Sequence, residues 1–165
     1  MGRTGVVIAV VASGALIAGC AGPSELLGSS NKMGSTITGT ASTASAGTYL
    51  QALRSEQAML AAAERAIPAN PRTPAALSRS ISLLARAIGR LADGLAGLRP
   101  PRAAAAENVK LILIVRAYRS RLTGAAVEAK KPGGELLGGR ILLAATNVAS
   151  REFSATAMEI NRALR

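Results

Sequence analysis

The chain has no histidine and no tryptophan, one cysteine, two tyrosines and one phenylalanine in 165 residues. Without histidine it lacks both the commonest general base and the commonest metal ligand. Cys20 has no second cysteine to pair with, so no internal disulfide holds the fold and packing must do so alone. With Tyr49, Tyr118 and Phe153 as the only rings, the core must be built from Leu, Ile, Val and Ala. Such a core favours closely packed helices over a sheet sandwich. The scarcity of rings also leaves little for a nucleic-acid base to stack on, and nucleic acid is not expected as a partner.

Acids are scarce as well. Nine acidic residues face 20 basic ones, for a net charge of +11. The acids are Glu25, Glu56, Glu64, Asp93, Glu107, Glu128, Glu135, Glu152 and Glu159, and they are dispersed. Glu152 and Glu159 stand one heptad apart, and Glu56 and Glu64 supply two more carboxylates that could meet them inside a bundle. The inward carboxylate motif of metal-binding bundles also needs histidines, so no metal site and no cofactor are expected. Salt bridges to the many arginines are the expected occupation of the acids. A Ser or Thr nucleophile would need a Lys or an acid as its base, and Lys32, Lys110, Lys130 and Lys131 stand in no such motif. The pairs Gly133-Gly134 and Gly138-Gly139 lack the strand and the Gly-Lys-Ser/Thr of a phosphate-cradling loop. No catalytic residue is assigned, and the chain is read as not an enzyme.

The first residues carry one positive charge, Arg3, ahead of an apolar run from Gly5 to Ala18. About 14 residues span about 21 Å as a helix, short of a bilayer core of about 30 Å, so the run has the form of a signal peptide rather than a permanent anchor. At its end stands Ile17-Ala18-Gly19-Cys20, with Leu16 just upstream. This resembles the lipobox of bacterial lipoproteins, with Ile where Leu is more usual. The resemblance implies that a signal peptidase recognises Ile17, Ala18 and Gly19 and cuts before Cys20. It also implies that the Cys20 thiol carries diacylglycerol and that fatty acid such as palmitate is added to the freed amine. Ala21, not being Asp, implies no retention at the inner membrane of a two-membrane cell. The body is then expected on the extracytoplasmic side of the cell membrane or outer membrane, held by lipid. Losing Arg3 with the signal peptide leaves a charge of about +10. That excess fits affinity for phospholipid headgroups or an anionic envelope polymer, or simply solvated helix faces.

Three regions follow: a signal peptide at 1–19, the lipidated cysteine and a flexible Ser/Thr/Gly/Ala linker at 20–47, and a helical bundle domain at 48–165. The linker buries nothing obvious and reaches about 30 Å as a random coil. In the body a first helix is expected from about Thr48 to Ile67, with Tyr49, Leu53, Leu60, Ala63 and Ile67 on one stripe that Glu56 interrupts. Pro68-Ala69-Asn70-Pro71 ends it. Thr73 and Pro74 then start a second helix, whose Leu77, Ile81, Leu84, Ile88, Leu91, Leu95 and Leu98 alternate at spacings of four and three up to Pro100-Pro101. A third helix, about Ala103 to Ala129, carries Leu111, Val115, Tyr118, Leu122 and Ala125, widened by Val109, Ile112 and Ile114. So broad an apolar arc places it centrally. Arg116, Arg119 and Arg121, preceded by Lys110, spread around its cylinder and read as solvated. Lys130-Lys131-Pro132-Gly133-Gly134 is a break. A fourth helix, about Glu135 to Leu164, carries Leu142, Ala149, Phe153, Ile160 and Leu164, with Gly138-Gly139 marking a fray or kink. Both tyrosines are expected in the core or at its boundary, with their hydroxyls at the rim.

The expected fold is all-α, an up-down antiparallel bundle of three to four helices, with a loose first helix as the three-helix variant. The segment Leu91-x-x-x-Leu95-x-x-Leu98-Arg99-Pro100-Pro101, followed by a long helix, resembles a loose group of Ala/Arg-rich small lipoproteins and secreted proteins of high-GC bacteria, of uncharacterised role. Many of that group carry a cysteine pair joining first and last helices, which this chain lacks. The expected role is that of a membrane-anchored envelope lipoprotein acting as a non-catalytic interaction or structural module, with an envelope protein or anionic polymer as partner. A carrier of a small apolar or lipid ligand is the alternative. Cys20→Ser should abolish metabolic incorporation of labelled fatty acid; label persisting on the variant would remove the lipobox reading.

Overall fold

The computed structural model describes residues 45–66 and 71–165. The signal peptide, Ile17, Ala18, Gly19, Cys20 and nearly all of the linker lie outside the described residues. Within them four helices follow one another: α1 (Ala46–Arg65), α2 (Pro74–Gly97), α3 (Ala105–Lys130), entered through a single 3-10 turn at Arg102–Ala104, and α4 (Glu135–Ala163). There is no strand among the described residues.

Local chemistry sets the ends. The Ser45 hydroxyl accepts the Thr48 N–H and starts α1, so Ala46 and Gly47, assigned above to the linker, belong to the helix. The Thr73 hydroxyl accepts the Ala76 N–H, with Pro74 at the first helical position, where its missing N–H costs nothing. Between α3 and α4 the chain reverses through Gly133, whose φ of 71° is a left-handed conformation that a side chain would disfavour.

The helices alternate in direction. α2 packs along α3 and α3 along α4. α1 lies on α2, and none of its Cα atoms comes within 8 Å of α3 or α4. The bundle therefore has four helices of which the first is the least embedded, joining the two forms expected from the sequence. The stripe on α2 is the spine of the core: Leu77, Ile81, Leu84, Ile88, Leu91 and Leu95 are all buried. Each contributes about 2 kcal/mol by leaving water. Leu98 follows as the C-cap and is half-buried. From α3 come Leu111, Val115, Leu122, Ala125 and Ala129, and from α4 come Leu142, Ala145, Ala157 and Ile160. Leu60 and Phe153 are partly buried against this core.

Two expectations need correction, those for Val109 and Gly138, and a third, for Glu56, gains its reason. Val109 does not widen the buried arc of α3 but stands 56% exposed, as Leu113 does at 58%. α3 has only two long neighbours, and their contact surfaces leave its outward side in water. Glu56 breaks the α1 stripe because its carboxylate lies over Gly94 of α2, where there is no Cβ to meet it. Gly138, expected at a fray or kink, is buried in the second turn of a continuous helix. A Cβ there would fall 2.6 Å from the Ala129 Cβ and 2.8 Å from the Ala129 Cα and N. The missing side chain is what lets α4 approach α3 at this point. Gly138→Ala should therefore destabilise the bundle, against the usual gain of alanine over glycine in a helix, by about 1–3 kcal/mol. A urea midpoint unchanged or raised relative to the parent would contradict the close approach.

Candidate functional site

A buried polar relay joins three helices at one end of the bundle. The Tyr49 hydroxyl of α1 donates to Asn108 Oδ1 of α3 at 2.9 Å, and Asn108 Nδ2 reaches the Leu95 carbonyl of α2 at 3.4 Å. That carbonyl lies in the last turn of α2, where helical partners run out, and it also accepts the Leu98 N–H. Tyr49 is 1% exposed and Asn108 4%. The Tyr49 hydroxyl is thus inside the core, not at its rim. Burial, reinforced by the negative charge of Glu107, pushes it up to about 12. Asn108 drew no attention in the sequence. Extending the stripe of Leu111, Val115 and Tyr118 back by three residues would have found it.

Further along, the Tyr118 hydroxyl shares a hydrogen bond of 3.0 Å with Thr146 Oγ1, joining α3 to α4. Burial raises the Tyr118 pKa, the Thr146 bond lowers it, and the charge of Glu64 raises it again. Glu64 of α1 is itself raised by burial. Next to the relay, under α1, Leu53, Leu95, Leu111, Phe153 and Ile160 line an apolar cavity of about 20 Å³. It has room for about one water molecule and none for an acyl chain with the helices in place.

The carboxylates do not converge. Glu152 and Glu159 are exposed, Glu56 rests on α2, and the described residues hold no group of three or more acids or cysteines placed to bind a metal. One oxygen of Glu135, Oε2, is buried without a hydrogen-bond partner, but no basic group is brought to it. The expected pairing of acids with arginines is also not what the fold makes. Among the described residues the ion pairs use lysine only: Lys110 with Glu107 at 3.8 Å and with Glu159 at 3.3 Å, and Lys131 with Glu128 at 2.6 Å. The arginines there form no salt bridge.

Five of them lie along one side of α2 and α3, while Arg140, Arg151 and Arg162 stand exposed on α4. On α2 the outward stripe reads Arg79, Leu83, Arg86, Arg90, Asp93 and Gly97, every residue exposed. On α3 the outward stripe reads Val109, Leu113, Arg116, Ser120, Thr123 and Val127, again all exposed. Arg119 lies between them, its guanidinium group laid on α2 at Gly89, with Cζ and Nε 3.2 Å from where a Gly89 Cβ would be. One turn of α2 thus carries Arg86 and Arg90 on either side of Gly89 and the Arg119 guanidinium above it. Arg119 turns toward α2, Arg116 stands on the outward stripe and Lys110 bonds to α4, so these cations do spread around α3, and part of the spread builds a shared face. No described helix is long and apolar enough to cross a membrane.

The relay yields a pH dependence. A phenol whose folded pKa is about 12, above the ordinary 10, favours the folded state below about pH 10 and loses that contribution as pH rises through 12. Tyr49→Phe should lower stability by about 1–3 kcal/mol near neutral pH by leaving Asn108 Oδ1 buried and unbonded. It should also flatten the alkaline fall of melting temperature, keeping only the part due to Tyr118. Equal alkaline slopes in variant and parent would show that Tyr49 ionises freely.

Comparison with known proteins assigns the chain to no family: no family model, no curated protein and no solved structure matches it.

Proposed function

We propose that this chain is a lipid-anchored protein of the bacterial envelope whose helical body acts as a non-catalytic interaction module on the extracytoplasmic side. Two features support the reading. The chain's one cysteine, Cys20, closes an apolar run behind Ile17-Ala18-Gly19, as lipid attachment requires. The observation that carries the interaction role is the arginine surface of α2 and α3, which pairs with no carboxylate of its own. Arginines that joined helices would be held by internal acids; those on α2 and α3, which are not, keep their donors for an external anion.

Carriage of a small apolar ligand is the second reading, favoured by the apolar cavity under the loosely seated α1. It requires α1 to swing away, because a cavity of about 20 Å³ holds no lipid chain. In cells, a tagged chain should fractionate with membranes and its Cys20→Ser form should not. Cross-linking followed by mass spectrometry should then recover envelope components from the parent that the variant loses. Release of equimolar lipid on extracting the purified parent would move the assignment to the carrier.

A further inference from the structure

The outward stripes of α2 and α3 combine unpaired cations with bare aliphatic side chains. Val109 is 56%, Leu113 58% and Val127 57% exposed on the same side of α3 as Arg116. Leu83 interrupts the arginines of α2. The two helices run antiparallel, with Ser78 bonded to the Ala126 carbonyl at one end and Asn108 reaching Leu95 at the other. That register sets Arg79 level with Val127 and Arg86 level with Arg119. The acids lie elsewhere: Glu128 and Glu159 are engaged by Lys131 and Lys110, and Asp93 alone stands on the α2 stripe.

We infer that this α2/α3 face lies against an anionic phospholipid bilayer, its arginines on headgroup phosphates and its exposed valines and leucines at the headgroup and acyl boundary. The inference rests on the lipid-anchored reading and gives that module its partner. Three observations favour a bilayer over other anions. A soluble polyanion would leave Val109, Leu113 and Val127 in water, whereas a bilayer interface takes up aliphatic side chains among cations. A second copy of the chain docked face to face would oppose arginine with arginine. A protein partner would find the apolar residues scattered among charges, with no contiguous dry patch. Arginine is also the residue whose planar fork matches phosphate oxygens. The acyl chains at Cys20 would hold the chain to the membrane, and a cationic face on the body would set how the body lies against it.

The test is sedimentation of the full chain carrying Cys20→Ser with vesicles of phosphatidylcholine alone or mixed with phosphatidylglycerol. No acyl chain is present, so the outcome is independent of whether Cys20 is lipidated in cells. Binding to the zwitterionic vesicles reports the apolar N-terminal segment and serves as baseline. The mixed vesicles should bind at least tenfold more tightly, and the advantage should fall as salt rises. The triple variant R79Q/R86Q/R90Q should lose that advantage, on the order of tenfold to a hundredfold. The variant R140Q/R151Q/R162Q removes the same charge from exposed positions on α4 and should retain it. The pair Leu113→Gln and Val127→Gln should weaken binding to mixed vesicles without altering its salt dependence. Equal losses from the two arginine triples would reduce the effect to net charge and overturn the face. Full binding by the Leu113/Val127 variant, with loss only in the arginine triple, would make the partner a soluble anion and overturn the bilayer. The substituted side chains of α2, α3 and α4 are all exposed, and unchanged helicity by circular dichroism verifies that folding is intact.

Discussion

The structure depends on how a core with almost no aromatic side chains is filled. Leu and Ile on α2 form a continuous ridge, but alanines fill much of the space beside and opposite it: Ala85, Ala92, Ala104, Ala125, Ala126 and Ala129 are all buried in the same cluster. Small side chains fill space only if backbones come close, since a gap of even a fraction of an ångström forfeits dispersion contact. Hence the glycine of α4 against Ala129 and the tight pairing of α2 with α3 and α3 with α4. α1 has the fewest buried apolar residues, Tyr49 and Leu53, and sits farthest from the other helices. Where it stands off, the apolar cavity remains.

That arrangement decides where polar groups go. The one large ring brought wholly inside, Tyr49, needs an acceptor, and Asn108 provides it while satisfying a carbonyl at the end of α2. The relay pins the loosest helix to the other two at one end, a specific contact in a core otherwise made of interchangeable aliphatics. Arginines, too long and too charged to enter, spread their stems on the outside. Arg119 shows how close packing shapes the exterior as well: its guanidinium rests on α2 only because Gly89 leaves room.

Much of the fold was legible because its signals are local. The stripe from Leu77 to Leu95 names both a helix and its buried face, since the spacing of four and three follows from 3.6 residues per turn. The surface that carries the proposed function was less so. Arg116 and Arg119 scatter on a single helix, and they become part of a face only when α2 lies beside them at the register fixed by Ser78 and Asn108. The unpaired state of the arginines was equally hidden, because whether an acid reaches a base depends on which helices are neighbours.

The sequence by itself determined that the body is helical and, to within about one turn, where its helices start and stop. Thr73 and Pro74, Pro100-Pro101 and Gly133 act on their own backbone through missing donors, capping oxygens or permitted dihedrals, and need no distant partner. It also determined the chain's one thiol and the segment before it, which are matters of order along the chain. Only the tertiary structure decided which part of α3's broad apolar arc is buried, that Gly138 is a contact and not a break, that Tyr49 faces inward to Asn108, and that the carboxylates of the described residues form no group of three. Each of these depends on the distance and register between helices, which no single helix's periodicity contains.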